Sequence, residues 1–135
     1  MTASSPAIGR RRPTQERSRQ TVEAILAAAA QVFEERGYAE GTTNRIAERA
    51  GVSIGSLYQY FPNKDAVLVA LMERHVLEGT GLLTGRMAGF TAPDVSLNAS
   101  LRSLINSTIE IHSRAPGLHR VLFEEAPKPA ALPAF

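Results

Sequence analysis

The sequence contains no cysteine. That excludes a disulfide framework, a thiolate metal site and cysteine catalysis in one step. It leaves the redox compartment open, because a cysteine-free chain folds in either. No apolar run approaches the roughly 18 residues that cross a bilayer, and the N-terminus lacks the apolar segment of a secretory signal. The expectation is a soluble protein that stays in the cytoplasm, with no membrane partner. Strand-like alternation and repeats of about 20–50 residues are missing too, which points to an all-α fold. No paired carboxylates, glycine-rich phosphate loop or Ser/His/Asp arrangement stands out, so an enzyme is not expected and no cofactor is implied. His75, His112 and His119 lack the tight spacing of a metal site.

What remains is 135 residues, 44% hydrophobic and 21% charged, enough for one compact core or a small core with appendages and too apolar for a wholly disordered chain. The net charge of +2 conceals an asymmetry. Residues 1–20 hold Arg10, Arg11, Arg12, Arg17 and Arg19 against Glu16 alone, whereas residues 65–135 hold six basic and seven acidic side chains. Positive charge gathered at one end suits a polyanion, although a solvated basic tail explains the charge alone equally well.

Residues 1–13 are polar and carry Pro6, Gly9 and Pro13, which reads as a flexible basic arm. Val22, Ile25, Leu26, Ala29 and Phe33 then share one face of a helix over 15–36, with Thr14 as its cap and Gly37 as its left-handed stop. Two helices of about two turns follow. Thr42 or Thr43 caps the first, Gly51-Val52 breaks the period, and Ser53 caps the second, which ends at Phe61-Pro62-Asn63. Helices this short do not persist alone, so tertiary packing must hold them. The next helix carries Val67, Leu68, Leu71, Met72 and Val76 on one face, and glycines at 79, 81, 85 and 89 predict fraying or a kink there. A further helix from Asp94 or Ser96 places Leu97, Leu101, Leu104, Ile105 and Thr108 on one face, and a short one covers Leu118 to Glu125. The domains expected are the arm (1–13), a helix-turn-helix unit (14–63), a partial helical regulatory domain (64–126) and an irregular tail (127–135).

Residues 43–62 meet the steric demands of a helix-turn-helix. Two helices crossing at roughly 90–120° need a small side chain at the crossing, supplied by Ala47, and a positive φ in the turn, supplied by Gly51. Ile46, Ala50, Val52, Leu57 and Tyr60 point inward. Ser53, Ile54, Gly55, Ser56, Tyr58 and Gln59 point outward, where small side chains let the helix approach a groove and the longer two offer hydrogen-bonding groups.

Thr42-Thr43, Ile46-Ala47, Ala50-Gly51-Val52-Ser53, Gly55-Ser56-Leu57-Tyr58, Tyr60-Phe61 and Lys64 together resemble the N-terminal domain of the TetR family of bacterial transcriptional regulators, over about residues 16–76. The resemblance implies a three-helix DNA-binding domain, a fourth helix leading to a ligand-binding domain, and a homodimer that reads a palindromic operator in double-stranded DNA. It assigns Thr43, Tyr58, Tyr60 and Lys64 to the DNA backbone, Tyr58 also to a base edge. Asn44, Arg45, Ile54, Gly55, Ser56 and Gln59 fall at positions that reach bases in the family, and Ser53 completes the expected interface. Each has a plainer alternative: Tyr58 and Tyr60 as half-buried packing residues, Lys64 as a surface lysine, Arg45 as a partner of Glu48. Gly9 to Pro13 is expected to make diffuse phosphate contacts in preference to entering a minor groove.

The function expected is a sequence-specific transcriptional regulator, a ligand-responsive repressor of the TetR type with a small apolar ligand as a candidate partner. Leu97, Leu101, Leu104, Ile105, Val121, Leu122 and Phe123 are expected to form either a pocket wall or plain core. Family members usually run well beyond residue 135, and the helices of their dimer interface have no counterpart here. The homodimer is therefore doubtful, and a mainly monomeric chain with weak, poorly selective binding is expected. The alternative is a truncated regulator or helical interaction module that keeps the fold without binding an operator productively.

Overall fold

A computed structural model of the chain describes residues 12–88, 94 and 96–127. Most of the expected basic arm and tail therefore lies outside the described residues. Six α-helices follow in order: α1 (Arg12–Glu40), α2 (Thr43–Ala50), α3 (Ile54–Tyr60), α4 (Lys64–Met87), α5 (Leu97–Ser113) and α6 (Pro116–Arg120), the last continuing into a π-helical turn (Val121–Glu125). Among the described residues there is no strand.

The short helices are cut by their caps. The Thr42 hydroxyl accepts from Arg45 N–H at 3.3 Å, leaving Thr43 as the first helical residue. Gly51 adopts φ 71° and ψ 28°, the left-handed conformation the turn requires, and Val52 N–H closes the turn on the Ala47 carbonyl at 3.0 Å. Ser53 accepts from Ser56 N–H at 3.1 Å, and Asn63 from Ala66 N–H at 2.9 Å. Each side chain satisfies one of the backbone donors that a helix start leaves unpaired.

The core joins Ile25, Ala29, Val32 and Phe33 of α1 to Ile46 and Ala47 of α2, Leu57 of α3, and Val67, Leu68 and Leu71 of α4, with Val121 and Leu122 closing it from the π-turn. Burying a side chain the size of Phe33 contributes about 1.5–3 kcal/mol relative to leaving it in water. Several such burials hold helices that nucleation would otherwise forbid.

The observed elements depart from expectation in four places. Helix α1 starts at Arg12, ahead of Thr14, so Thr14 is not its cap; Pro13 falls in the first turn, where a missing N–H costs nothing. Gly37 has the expected positive φ, 77°, with ψ −177°, and breaks the helix there, but the chain regains helical geometry beyond it as far as Glu40. Helix α4 neither frays nor kinks at Gly79, Gly81 or Gly85 but runs on to Met87, and Val76 is exposed. Each interior glycine costs about 1 kcal/mol relative to alanine; Gly79 lies beside α5, where a Cβ would meet Ile111 Cγ2 at 4.0 Å, and nothing stands within 4 Å of one at Gly81 or Gly85. Finally, α5 turns its apolar stripe outward. Leu97, Leu101, Ile105 and Ile109 are exposed, while Ser100 and Ser107 are buried, Ser107 to 1%. The Ser107 hydroxyl donates to the Ser103 carbonyl at 2.8 Å, so its burial leaves no polar group unpaired.

Candidate nucleic-acid interface

Helix α3 is held by Leu57, which is fully buried, while Tyr58 is 48% exposed and Gln59, Gly55 and Ser53 are exposed beside it. Ala47 is 2% exposed at the crossing of α2 and α3, which leaves no room there for a larger side chain. The two helices also meet through side chains: Thr43 Oγ1 and Tyr58 Oη lie 3.1 Å apart. That bond gives the tyrosine hydroxyl a fixed place on the exposed edge of the motif. Asn44 is exposed on α2.

Four residues of the expected interface are engaged within the protein. Ile54 is partly buried and packs against the core, as does Tyr60. Ser56 is half-buried, and its hydroxyl accepts from Ser53 Oγ at 2.9 Å. Arg45 pairs with Glu40 at 3.6 Å and not with Glu48, an exposed contact worth at most about 1 kcal/mol and easily exchanged for another anion.

Lys64 is the most constrained cation of the set. Its Nζ donates to the Tyr38 carbonyl at 2.7 Å and sits 3.9 Å from the centroid of the Tyr38 ring. A cation in the first turn of a helix is disfavoured by about 0.3–1 kcal/mol. A hydrogen bond from a charged donor returns about 1.5–3 kcal/mol, and the ring adds to it, so the protein itself accounts for this lysine's position. An ammonium has three N–H donors, and two remain for a phosphate.

Tyr38 was not singled out from the sequence. Its hydroxyl donates to Asp65 Oδ1 at 2.9 Å, and its N–H, freed by the Gly37 kink, donates to Glu125 Oε2 at 3.0 Å. Burial and the Asp65 carboxylate push its hydroxyl pKa up. The Tyr38 N–H above all holds the Glu125 carboxyl below the usual range; burial opposes it, and Arg120 adds to the lowering. A glycine followed by an aromatic at a helix end was the available signal. Also unforeseen is the bidentate pair of Arg49 with Glu35, at 3.0 and 2.8 Å, which ties α2 to α1. It lowers the Glu35 pKa and raises that of Arg49.

Away from the motif, α4, α5 and α6 bring His75, His112 and His119 together, with His119 4.7 Å from His112 and 5.8 Å from His75 between ring centroids. Among the described residues no group of three or more His, Cys, Asp or Glu is disposed to hold a metal. A cavity of about 150 Å³ lies beside them, lined by residues including His75, Glu78, Leu82, Ile111, Arg114 and Leu118. The expected pocket wall does not form it. Val121 and Leu122 are in the core, and Leu97, Leu101, Ile105 and Phe123 are exposed.

Residues 25–71 match the family model described as bacterial regulatory proteins, tetR family. The chain is 31% identical over 112 residues to the nucleoid occlusion factor SlmA of Actinobacillus pleuropneumoniae, covering 83% of this chain and 52% of that protein. It is 35% identical over 117 residues to the HTH-type transcriptional activator FasR of Mycolicibacterium smegmatis, covering 86% of this chain and 49% of that one. The chain thus spans about half the length of the curated relatives it matches. Among solved structures, a TetR-like transcriptional regulator from Rhodococcus sp. RHA1 superposes with a TM-score of 0.64 at 26% identity, over 78% of this chain and 56% of that one.

Proposed function

The chain belongs to the tetR family of bacterial regulatory proteins through its N-terminal domain, and from that premise we propose that it binds double-stranded DNA sequence-specifically and regulates transcription. The observation that carries this is α3, anchored by Leu57 and presenting Tyr58 and Gln59 outward, with the Tyr58 hydroxyl bonded to Thr43. In this reading α3 lies in the major groove, where Ser53, Gly55 and Ser56 allow close approach and Gln59 reads base edges. Thr43, Tyr58 and Lys64 hold phosphates and set the register. Asn44 and Arg45 reach the groove edge from α2, while Ile54 and Tyr60 support α3 from beneath more than they contact bases. A palindromic operator requires two copies, one for each half-site.

Control by a ligand in the manner of a repressor is the finer part of the proposal. A cavity of about 150 Å³ is small beside the ~300–1,000 Å³ of ordinary ligand sites, so it suits only a small molecule. Occupancy of the operator then blocks transcription by exclusion. A second reading, a helical interaction module without productive DNA binding, draws support from the exposed Leu97, Leu101, Ile105 and Ile109 stripe. Salt titration of duplex binding with sedimentation of the same samples separates the two. Neutralising about four phosphates per chain gives a slope of roughly −3.6 in log K against log salt. A slope near zero, with self-association instead, favours the interaction module.

A further inference from the structure

We propose that Glu125 and Tyr38 position Lys64 for its phosphate contact, so that docking of the π-turn onto the Gly37 kink sets how firmly the chain grips DNA. The inference rests on the DNA-binding reading and assigns that site a regulatory connection to the carboxyl-terminal half.

Every link is a direct contact. Arg120 Nε donates to Glu125 Oε1 at 2.9 Å, which orients the carboxylate. The other oxygen accepts the Tyr38 N–H at 3.0 Å. Tyr38 then holds the Lys64 ammonium twice, by its carbonyl at 2.7 Å and by its ring face at 3.9 Å. Asp65, next to Lys64, takes the Tyr38 hydroxyl at 2.9 Å. The polar groups of one residue are thus divided between the start of α4 and the π-turn. Tyr38 follows the Gly37 kink, its N–H goes to Glu125, and its carbonyl accepts from Gly41 N–H at 3.3 Å as well as from Lys64, so its orientation rests on these partners together. Losing the Glu125 bond frees the Tyr38 N–H to seek water and lets the carbonyl and ring swing away from Lys64. The ammonium then has the orientational freedom of an ordinary surface lysine and holds a phosphate less well. Glycine suits the approach: its φ of 77° is one that side-chain-bearing residues rarely adopt, and a Cβ there would press on Glu125 Oε2 at 3.0 Å.

The test measures anisotropy of a labelled random-sequence duplex of about 30 base pairs across a salt series, with thermal melts of each protein. Wild type is compared with Glu125→Ala, Glu125→Gln, Tyr38→Phe, Lys64→Ala and the Glu125→Ala/Lys64→Ala double variant. Glu125→Ala is expected to weaken binding about fivefold, within the range of couplings between neighbouring side chains, and to flatten the salt slope toward that of Lys64→Ala, by up to about 0.9. Glu125→Gln, whose amide oxygen still accepts from Tyr38, and Tyr38→Phe, which keeps backbone and ring, retain most of the affinity. In the Lys64→Ala background, Glu125→Ala costs nothing further. A purely structural role for Glu125 predicts equal losses in both backgrounds with the slope unchanged, and that result overturns the proposal. So does full affinity in Glu125→Ala while Lys64→Ala loses it. If wild type shows no affinity for the duplex, the DNA-binding reading falls and takes this inference with it.

Discussion

Replacing Glu34 by alanine should detach α6 from α1 and lower the melting temperature by about 5–10 °C. Helix α6 has no side-chain cap of its own; Ala115 precedes it, and Pro116 at its first position has no N–H to satisfy. The next two donors go to another helix. Gly117 N–H donates to Glu34 Oε1 at 3.1 Å, and Leu118 N–H donates to Glu34 Oε2. His119 N–H turns back to the Ala115 carbonyl at 3.0 Å. One carboxylate of α1 therefore caps the start of α6, with its charge at the favoured end of the helix. Deleting an N-cap costs about 0.5–2 kcal/mol, and hydrogen bonds to a charged acceptor are worth about 1.5–3 kcal/mol each. Water reoccupies part of this half-open site, so about 2 kcal/mol is the working figure, and a chain of this size loses about 3–5 °C per kcal/mol. Thermal denaturation followed by circular dichroism reads the shift, and hydrogen exchange at Gly117 and Leu118 localises it. A melting temperature unchanged within about 1 °C, with both amides as protected as in wild type, would refute the capping role.

Ala47→Leu should abolish duplex binding through the fold, since overfilling a tight crossing costs about 1–3 kcal/mol and tilts α3; normal binding by a cooperatively folded variant would contradict this. Tyr58→Phe should leave the melt within about 2 °C of wild type, because the lost bond to Thr43 is exposed, yet weaken duplex binding severalfold. A large melting shift with affinity intact would make Tyr58 a packing residue. Stability should fall on acidification. Burial first, then His112 and His75, lower the folded-state pKa of His119, so the unfolded chain takes up the proton more readily. The stability is complete above about pH 6.5 and is lost as pH falls below that value toward the lowered one. Urea melts at several pH values check this, and His119→Gln should flatten the dependence.

The helix-turn-helix was legible because its signals are local: Thr42, Gly51, Ser53 and Asn63 each act on a backbone group within a few residues. The carboxyl-terminal half was less so. Hydrophobic periodicity located the apolar face of α5, but a pattern does not say what covers that face, and small serines let α5 approach α4 on the other side. Glycine spacing suggested a break in α4, yet the helix runs unbroken to Met87. His75 is far in sequence from His112 and His119, and only the chain's return through α5 and α6 alongside α4 brings it beside them. The motif marked Lys64 as a candidate, whereas its hold on Tyr38 spans 26 positions and leaves no local trace.

The docking of α6 on α1 also has a kinetic consequence. Arg49 finds Glu35 across 14 positions, whereas Gly117 must find Glu34 across 83. Closing the longer loop costs about 1.5 kcal/mol more in chain entropy. Local contacts of the first kind form early, and the long-range seam forms late. During synthesis α1 to α4 can collapse around Phe33 and Ile46 before α6 has emerged. Helices α2 and α3 are thus assembled first, while Tyr38 waits for Glu125, its last partner to arrive.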